Sequence, residues 1–185
     1  MARIPYVEPE NAAPAVREVL DQLPVKLNIF KVMAHAETNF RPLLRLGTSI
    51  LGQQKLEARL RELAILRVAK LSDAEYEWVQ HVPIAKHVGV TDAQVEALER
   101  GDLQADAFGE LEQVLLRFTD EVVQEVGPSD ATFAAASKHL SNREIVELVI
   151  AIGFYMTVAR LMETVRIDLD PPAGTAVVDE VSRRS

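Results

Sequence analysis

Apolar residues recur at helical spacing along almost the whole chain. Within residues 109–127, Leu111, Val114, Leu115 and Phe118 occupy positions i, i+3, i+4 and i+7, which places them on one face of a helix. No window shows a sustained alternation of apolar and polar residues bounded by hairpin turns, so no sheet is expected. The pattern therefore predicts an all-α fold.

The same spacing of apolar residues predicts nine helical segments along the chain. Thr91 is a plausible N-cap for the sixth segment, and Gly101 is suited to its C-terminal end. The last segment is apolar nearly all round, which predicts the central buried helix. The predicted segments are residues 13–23, 27–36, 39–53, 56–71, 72–89, 91–101, 109–127, 129–140 and 141–165.

The chain has 185 residues, which is enough for one domain with a core of its own. We expect an N-terminal arm and first helix in residues 1–24, a helical bundle in residues 25–170, and a C-terminal tail in residues 171–185. Residues 61–66 resemble residues 146–151, each with a glutamate among apolar residues. This similarity is what a duplicated helical hairpin would give, but two unrelated buried helices would give it too.

The charge balance narrows the expected partners. With 20 basic and 28 acidic residues the net charge is −8. Nucleic acids and anionic membrane surfaces bind basic patches, so we expect neither as a partner. The N-terminus carries prolines and glutamates in place of the apolar stretch of a signal peptide, and no segment has about 20 uninterrupted apolar residues. These features favour a cytoplasmic protein.

Cysteine is absent from the chain. Its absence excludes disulfides, thiolate nucleophiles, iron–sulfur ligation by cysteine and every peroxidase mechanism that uses a cysteine. The sequence also lacks a Gly-x-Ser-x-Gly nucleophile elbow and a glycine-rich phosphate-binding loop. The remaining candidates for catalysis are carboxylates, histidines and tyrosines.

The densest group of such side chains lies in residues 72–89. Glu77 and His81 are four residues apart, so they share a helix face and could hydrogen-bond directly, which would orient the imidazole. Tyr76 and Trp78 could supply a phenol and an apolar wall for a substrate. An exposed glutamate–histidine pair at this spacing is also common in helices that have no catalytic role.

Glu62 on the preceding helix is the second candidate. Its helical neighbours include Ile65, Leu66 and Ala69, so the carboxyl is expected in an apolar stripe. Desolvation there would favour the neutral form, which could act as a proton donor. The alternative is a structural salt bridge to Arg59 or to a partner helix.

A metal site is a further alternative in this region. Glu77 and His81, with Glu62 or His87 as a third ligand, could hold zinc or iron. However, His87 is six residues from His81 and faces largely elsewhere, and no two-histidine metalloenzyme motif is present. We therefore expect no metal at this site.

The segment “RELAILRVAKLSDAEYEWVQHVPIAKHVGVTDAQVEAL” resembles the carboxymuconolactone decarboxylase family, which also contains the alkylhydroperoxidase D-like proteins. In the redox branch of that family, a glutamate on one helix precedes a C-x-x-C-x-x-x-H motif on the next. Glu62 matches this glutamate and His81 matches this histidine, while the two cysteine positions are occupied by Ala74 and Glu77. The resemblance implies an alkylhydroperoxidase D-like helical bundle, but the peroxidase chemistry of the redox branch requires the missing cysteines.

The decarboxylase branch is cofactor-free, so the resemblance implies acid–base chemistry without a cofactor. A carboxylated lactone or a keto acid would lose carbon dioxide and be protonated again at carbon. His81, oriented by Glu77, could polarise the carbonyl; Glu62 could be the general acid, and Tyr76 a second donor. Catalytic roles are thus expected for Glu62, Glu77 and His81, and substrate contacts for Tyr76 and Trp78.

The resemblance also implies a homo-oligomer, either a dimer, a trimer or a hexamer. Residues 144–165 would suit an interface, because a helix that is apolar nearly all round needs burial on several sides. The leading hypothesis is a lyase or isomerase that acts on a small carboxylated lactone or keto acid. A non-catalytic oligomeric binding module and a metal-dependent oxygenase or hydrolase are the alternatives. An enzyme predicts that the carboxylates and the histidine converge on one dry pocket, whereas a binding module predicts Glu62 in a salt bridge with no cavity beside it.

Overall fold

The computed structural model describes residues 1–176 and residue 179, and helices without strands make up this part of the chain. Each predicted helical segment corresponds to one observed helix, so the all-α prediction is confirmed. After a 3-10 helix at Pro9–Asn11, the α-helices are α1 (Pro14–Gln22), α2 (Asn28–Met33), α3 (Glu37–Gln53), α4 (Ala58–Leu71), α5 (Glu75–His87), α6 (Asp92–Arg100), α7 (Glu110–Glu125), α8 (Asp130–Ala136) and α9 (Asn142–Val165).

Local sequence sets several helix ends. Thr91 accepts a hydrogen bond from the backbone N–H of Gln94, and the Gln94 side chain accepts one from the backbone N–H of Thr91. Two of the N–H groups that a helix start leaves unpaired are thereby satisfied. Gly101 ends α6 at φ 72°, a left-handed conformation that glycine adopts without a side-chain clash. Both predicted ends of α6 are confirmed.

Helix α4 is the centre of the bundle. It packs along its length against α5, α7 and α9. Leu63, Leu66 and Val68 are fully buried, within a core built mainly from Leu, Ile, Val and Ala. The helix also takes Arg61 and Glu62 into the interior, where both are almost entirely excluded from solvent.

Helix α9 is not the central buried helix that its composition predicted. One face, which includes Leu148 and Ile152, packs into the core, but the opposite face exposes Val146, Val149 and Ile150. Alone among the helices that the structure describes, α9 is long and apolar enough to cross a membrane. Core helices of soluble proteins meet the same criterion, and α9 packs against α4.

A second apolar cluster joins the N-terminal segment to the end of the chain. Val16 of α1 and Phe40 of α3 lie in it together with Met162 of α9. The backbone N–H of Arg3 donates to the carbonyl of Val165 over 2.7 Å, which holds the N-terminal arm against the end of α9. Together these contacts enclose one side of the space beside α5.

Truncation of the α4 core should be costly. Leu66→Ala removes a fully buried side chain from the helix that four others contact, and we expect a loss of about 2–5 kcal/mol in the free energy of unfolding. Leu46→Ala is the matched control, because Leu46 is 40% exposed and its truncation should cost less than about 1 kcal/mol. Chemical denaturation measures both losses, and equal losses would contradict the central position of α4.

Candidate active site

A cavity of about 760 Å³ lies beside α5, bounded by α2, α3, α9 and the C-terminal segment. Helix α5 contributes Tyr76, Glu77, Gln80 and His81 to its wall. The larger part of the remaining wall is apolar and includes Leu23, Leu27, Phe30, Leu44, Phe154 and Met162. The two expected features of an active site, an apolar cavity and a few convergent polar groups, are therefore both present.

His81 is held by Glu62 from the neighbouring helix. The distance between His81 Nδ1 and Glu62 Oε2 is 2.9 Å, and the side chain of Glu62 is fully buried. The Tyr155 ring packs edge-on against the imidazole, with ring centroids 4.8 Å apart and an angle of 87°. Engagement of Nδ1 fixes the ring and leaves Nε2 as the nitrogen that could exchange a proton.

Glu62 does not line the cavity. It lies behind His81, and its other oxygen, Oε1, is 3.4 Å from the Nε of the buried Arg61. The predicted alternative partner, Arg59, bonds instead to Glu112 over 2.8 Å. Glu62 thus does not reach the cavity directly, which makes direct proton donation to a substrate the less suitable role for it.

Glu77 forms part of the cavity wall and has an unusual environment. Its side chain is buried, and neither carboxyl oxygen has a hydrogen-bond partner among the described residues. Burial raises the pKa of Glu77 well above its ordinary value of 4.5, and the nearby charge of Glu62 raises it further. Both effects favour the neutral carboxylic acid, which is a hydrogen-bond and proton donor.

The hydrogen bond expected between Glu77 and His81 is therefore not formed. Helical spacing brings the two residues to one face, but the contact between α4 and α5 supplies the imidazole with Glu62, which is 19 residues away in sequence. The three predicted catalytic residues thus lie in one region, but the hydrogen bonds between them differ from those predicted. Glu62 orients His81, and Glu77 stands apart with an unpaired carboxyl group.

Tyr76 is a cavity residue whose hydroxyl is already engaged. It donates to Asp170 Oδ2 over 2.5 Å, and the backbone N–H of Asn28 donates to the same oxygen over 2.6 Å. Burial and this carboxylate both raise the pKa of Tyr76. The hydroxyl predicted as a second proton donor therefore fixes the C-terminal segment instead.

Gln80 completes the attachment of that segment. Its Nε2 donates to the carbonyls of Asp170 and Pro171, and its Oε1 accepts from the backbone N–H of Ala173 over 2.9 Å. Ala173 and Gly174 then form part of the cavity wall. The beginning of the predicted tail is ordered by packing on α5, whereas residues 177, 178 and 180–185 lie outside the described residues.

Trp78 has a different position from the one predicted. It packs on the main core, with the Lys70 ammonium 5.2 Å from its ring centroid, and it does not line the cavity. Tyr76 and Glu77 face the cavity, and the further 100° step along α5 turns Trp78 away from it. This position does not support the predicted role of Trp78 as an apolar wall for the substrate.

Tyr155 is a cavity residue that the sequence did not reveal. It is buried within α9, and burial, followed by the charges of Glu62 and Glu77, raises the pKa of its hydroxyl. The available signal was a single tyrosine within the otherwise apolar stretch of residues 148–156. Among the described residues, no group of three or more histidines and carboxylates is placed to hold a metal ion.

The pKa shift of Glu77 predicts a specific dependence of stability on pH. Above pH 4.5 the folded protein keeps the proton that the unfolded chain releases, so rising pH favours unfolding until the folded carboxyl ionises. Glu77→Gln removes this effect. The free energy of unfolding of Glu77→Gln, relative to that of the wild type, should rise by up to about 1.4 kcal/mol per pH unit above pH 4.5. Below pH 4.5 this difference should stay constant.

Denaturation at a series of pH values measures this difference, and Glu75→Gln is the control. Glu75 lies on the same helix but is exposed, so its replacement should give a curve parallel to that of the wild type. If the Glu77→Gln curve is also parallel, Glu77 is ionised in the folded protein and the assignment is wrong.

One protein-family model matches part of the chain. Residues 38–121 match the model of the Carboxymuconolactone decarboxylase family. No curated protein matches the chain. The matched range includes Glu62, Glu77 and His81, so the candidate site lies inside it.

Solved structures extend the similarity to nearly the full chain. An alkylhydroperoxidase AhpD core protein from Ralstonia eutropha JMP134, described as peroxidase-related, is 19% identical with a TM-score of 0.78, covering 98% of this chain and 94% of its own. A peroxidase-related protein from Silicibacter sp. TM1040 is 15% identical with a TM-score of 0.74, covering 91% and 92%. A putative antioxidant defence protein AhpD from Agrobacterium tumefaciens is 23% identical with a TM-score of 0.65, covering 71% and 90%.

At these identities the solved structures establish the fold alone. They confirm the helical bundle of the alkylhydroperoxidase D-like type, and the family match confirms the resemblance found in the sequence. Residues 38–121 match the carboxymuconolactone decarboxylase family, and they lie within a fold of the AhpD type that extends over nearly the whole chain.

Proposed function

We propose that the protein is a cofactor-independent lyase or isomerase that transfers protons at a carbon acid such as a carboxylated lactone or a keto acid. One observation carries this proposal: an imidazole held by a buried carboxylate and a second carboxyl that favours its neutral form meet at one apolar cavity. A fixed imidazole beside a carboxyl whose pKa is raised by burial suits general acid–base catalysis.

The roles follow from the surroundings of each group. His81, fixed through Nδ1 by Glu62, exchanges a proton with the substrate carbon through Nε2. Glu77, as a neutral acid, donates a hydrogen bond to the carbonyl oxygen that becomes negative in the enolate. These roles exchange the two glutamates relative to the sequence-based hypothesis, which made Glu77 the orienting group and Glu62 the acid.

The electron balance needs no added oxidant or reductant. In a decarboxylation, the bond to the carboxylate carbon breaks and its electron pair passes into the conjugated carbonyl to give an enolate. Carbon dioxide leaves, and protonation at carbon by the His81 imidazolium restores the ketone or lactone. An isomerisation uses a conjugated enolate that forms when His81 removes a proton from carbon, and His81 then returns the proton to a different carbon. The largely apolar cavity wall lowers the local dielectric constant, which strengthens both interactions.

Peroxide reduction is the activity that the fold would otherwise suggest. In the redox branch of the family it depends on a pair of cysteines, and this chain has none. The corresponding positions are Ala74, which is buried, and Glu77, which cannot form a disulfide. Cysteine-dependent peroxidase activity is therefore argued against on chemical grounds.

A non-catalytic binding module is the second candidate function, because that hypothesis predicts ion pairs at Glu62 and Glu62 has them. Glu62 contacts Arg61 and His81, as a structural carboxylate would. The cavity beside His81 favours the enzyme, since the binding-module hypothesis expected no cavity at this place.

We further propose a homo-oligomer in the cytoplasm. The exposed apolar positions Val146, Val149 and Ile150 on α9 support self-association, because isolated protomers rarely leave such a strip open to water. The excess of acidic over basic residues supports the expectation of neither nucleic acid nor a membrane surface as a partner.

Turnover tests the proposal directly. With a chelator present, the protein is incubated with carboxylated lactones and β-keto acids in D₂O, and carbon dioxide release and deuterium uptake are followed by NMR. We expect His81→Asn and Glu77→Gln to slow the reaction by about 10²–10⁴-fold, the usual contribution of a general acid or base. The exposed Glu75→Gln should retain wild-type activity. Full activity of the His81 and Glu77 variants would overturn the proposal.

A further inference from the structure

We propose that the cavity takes an amphipathic carboxylate with a large apolar body, and that Arg45 binds its carboxylate. This inference rests on the proposed function, because it names the substrate class of the same site. It replaces the small lactone with a larger molecule whose anionic group lies away from the reacting carbon. Three properties of the cavity support it: its size, its apolar wall and its single unpaired cation.

The cavity is far larger than a small lactone requires. Its volume of about 760 Å³ falls in the range of about 300–1,000 Å³ that is typical of sites for drug-sized ligands. A lactone of about a dozen heavy atoms would leave much of an apolar wall facing water. A larger apolar body would fill that space and displace the water, which is the main source of binding free energy for such ligands.

The charges around the cavity favour an anion. Two cations line it, Arg41 and Arg45, both on α3 and one helical turn apart. Arg41 lies 3.3 Å from the carboxylate of Glu18, so its charge is compensated. Arg45 has no ion pair or hydrogen bond to any described residue, and Glu77, the acidic residue of the lining, favours its neutral form.

Arg45 suits the role of an anchor. It is exposed, so its guanidinium is hydrated and can reach an anion at the cavity opening without cost to the core. A guanidinium binds a carboxylate through two parallel hydrogen bonds, which fixes orientation as well as charge. The apolar body would then extend along the wall towards His81 and Glu77.

The carboxylate that Arg45 binds is not the group that leaves. Stabilising a carboxylate by an arginine lowers the energy of the ground state and would oppose loss of that carboxylate as carbon dioxide. The substrate therefore carries its reacting carbonyl separately from the anchoring carboxylate. Arg45 is a specificity-determining residue and takes no part in the proton transfers.

Binding without turnover tests this inference, with octanoate, butanoate and 1-octanol as probes in calorimetric titrations. Octanoate should bind the wild type more tightly than butanoate, because each added methylene contributes up to about 4-fold in affinity. Arg45→Met should lower the affinity for octanoate about 10-fold and leave the affinity for 1-octanol unchanged. Arg45→Lys should retain most of the affinity for octanoate. Arg117→Met is the control, because Arg117 is exposed on α7 and does not line the cavity.

Three results would overturn the inference. The first is that octanoate does not bind to the wild type, as when a second copy of the chain fills the cavity. The second is that Arg45→Met binds octanoate with unchanged affinity. The third is that Arg45→Met loses as much affinity for 1-octanol as for octanoate. His81→Asn separates the two proposals. If the inference is right, this variant still binds octanoate, whether or not its turnover is lost.

Discussion

The burial of Glu62 in the centre of the bundle is the constraint on which the rest of the site depends. Helix α4 packs against four neighbours, so a carboxylate on it must find partners inside the protein or lose its charge. Arg61 and His81 provide those partners. His81 is thereby fixed with one nitrogen towards the interior, and α5 is held in register against α4.

The same charge shapes the rest of the cavity wall. Glu77 lies close enough to Glu62 for the two negative charges to repel, and it has no partner of its own among the residues described. The neutral acid avoids that repulsion, at the cost of a buried carboxyl without a hydrogen bond, about 1–3 kcal/mol. Such a cost is understandable at a binding site, because a substrate oxygen can supply the missing partner. Gln80 and Tyr76 meanwhile hold the segment that closes the cavity on one side.

The fold could be predicted from the sequence, because the apolar spacing and the capping residues are local signals. Thr91 and Gly101 mark the ends of α6 without knowledge of any other helix. The burial of each helix was not predictable in the same way. Composition made α9 the central helix, but burial depends on how many neighbours a helix has, and α4 has more. Which residues face the cavity depends on the same tertiary contacts, and so the partner of His81, the cavity position of Tyr155 and the displacement of Trp78 all required the structure.

The central claim is that Glu77 is a neutral acid beside a fixed imidazole. Infrared difference spectroscopy of the wild type against Glu77→Gln at pH 7 tests it, because a protonated carboxyl has a carbonyl stretch that is separate from those of ionised carboxylates. A neutral Glu77 gives a protonated-carboxyl band in the wild type that is missing from the variant. If the difference shows only the symmetric and antisymmetric bands of a carboxylate, Glu77 is ionised, and the acid–base assignment of the site is contradicted.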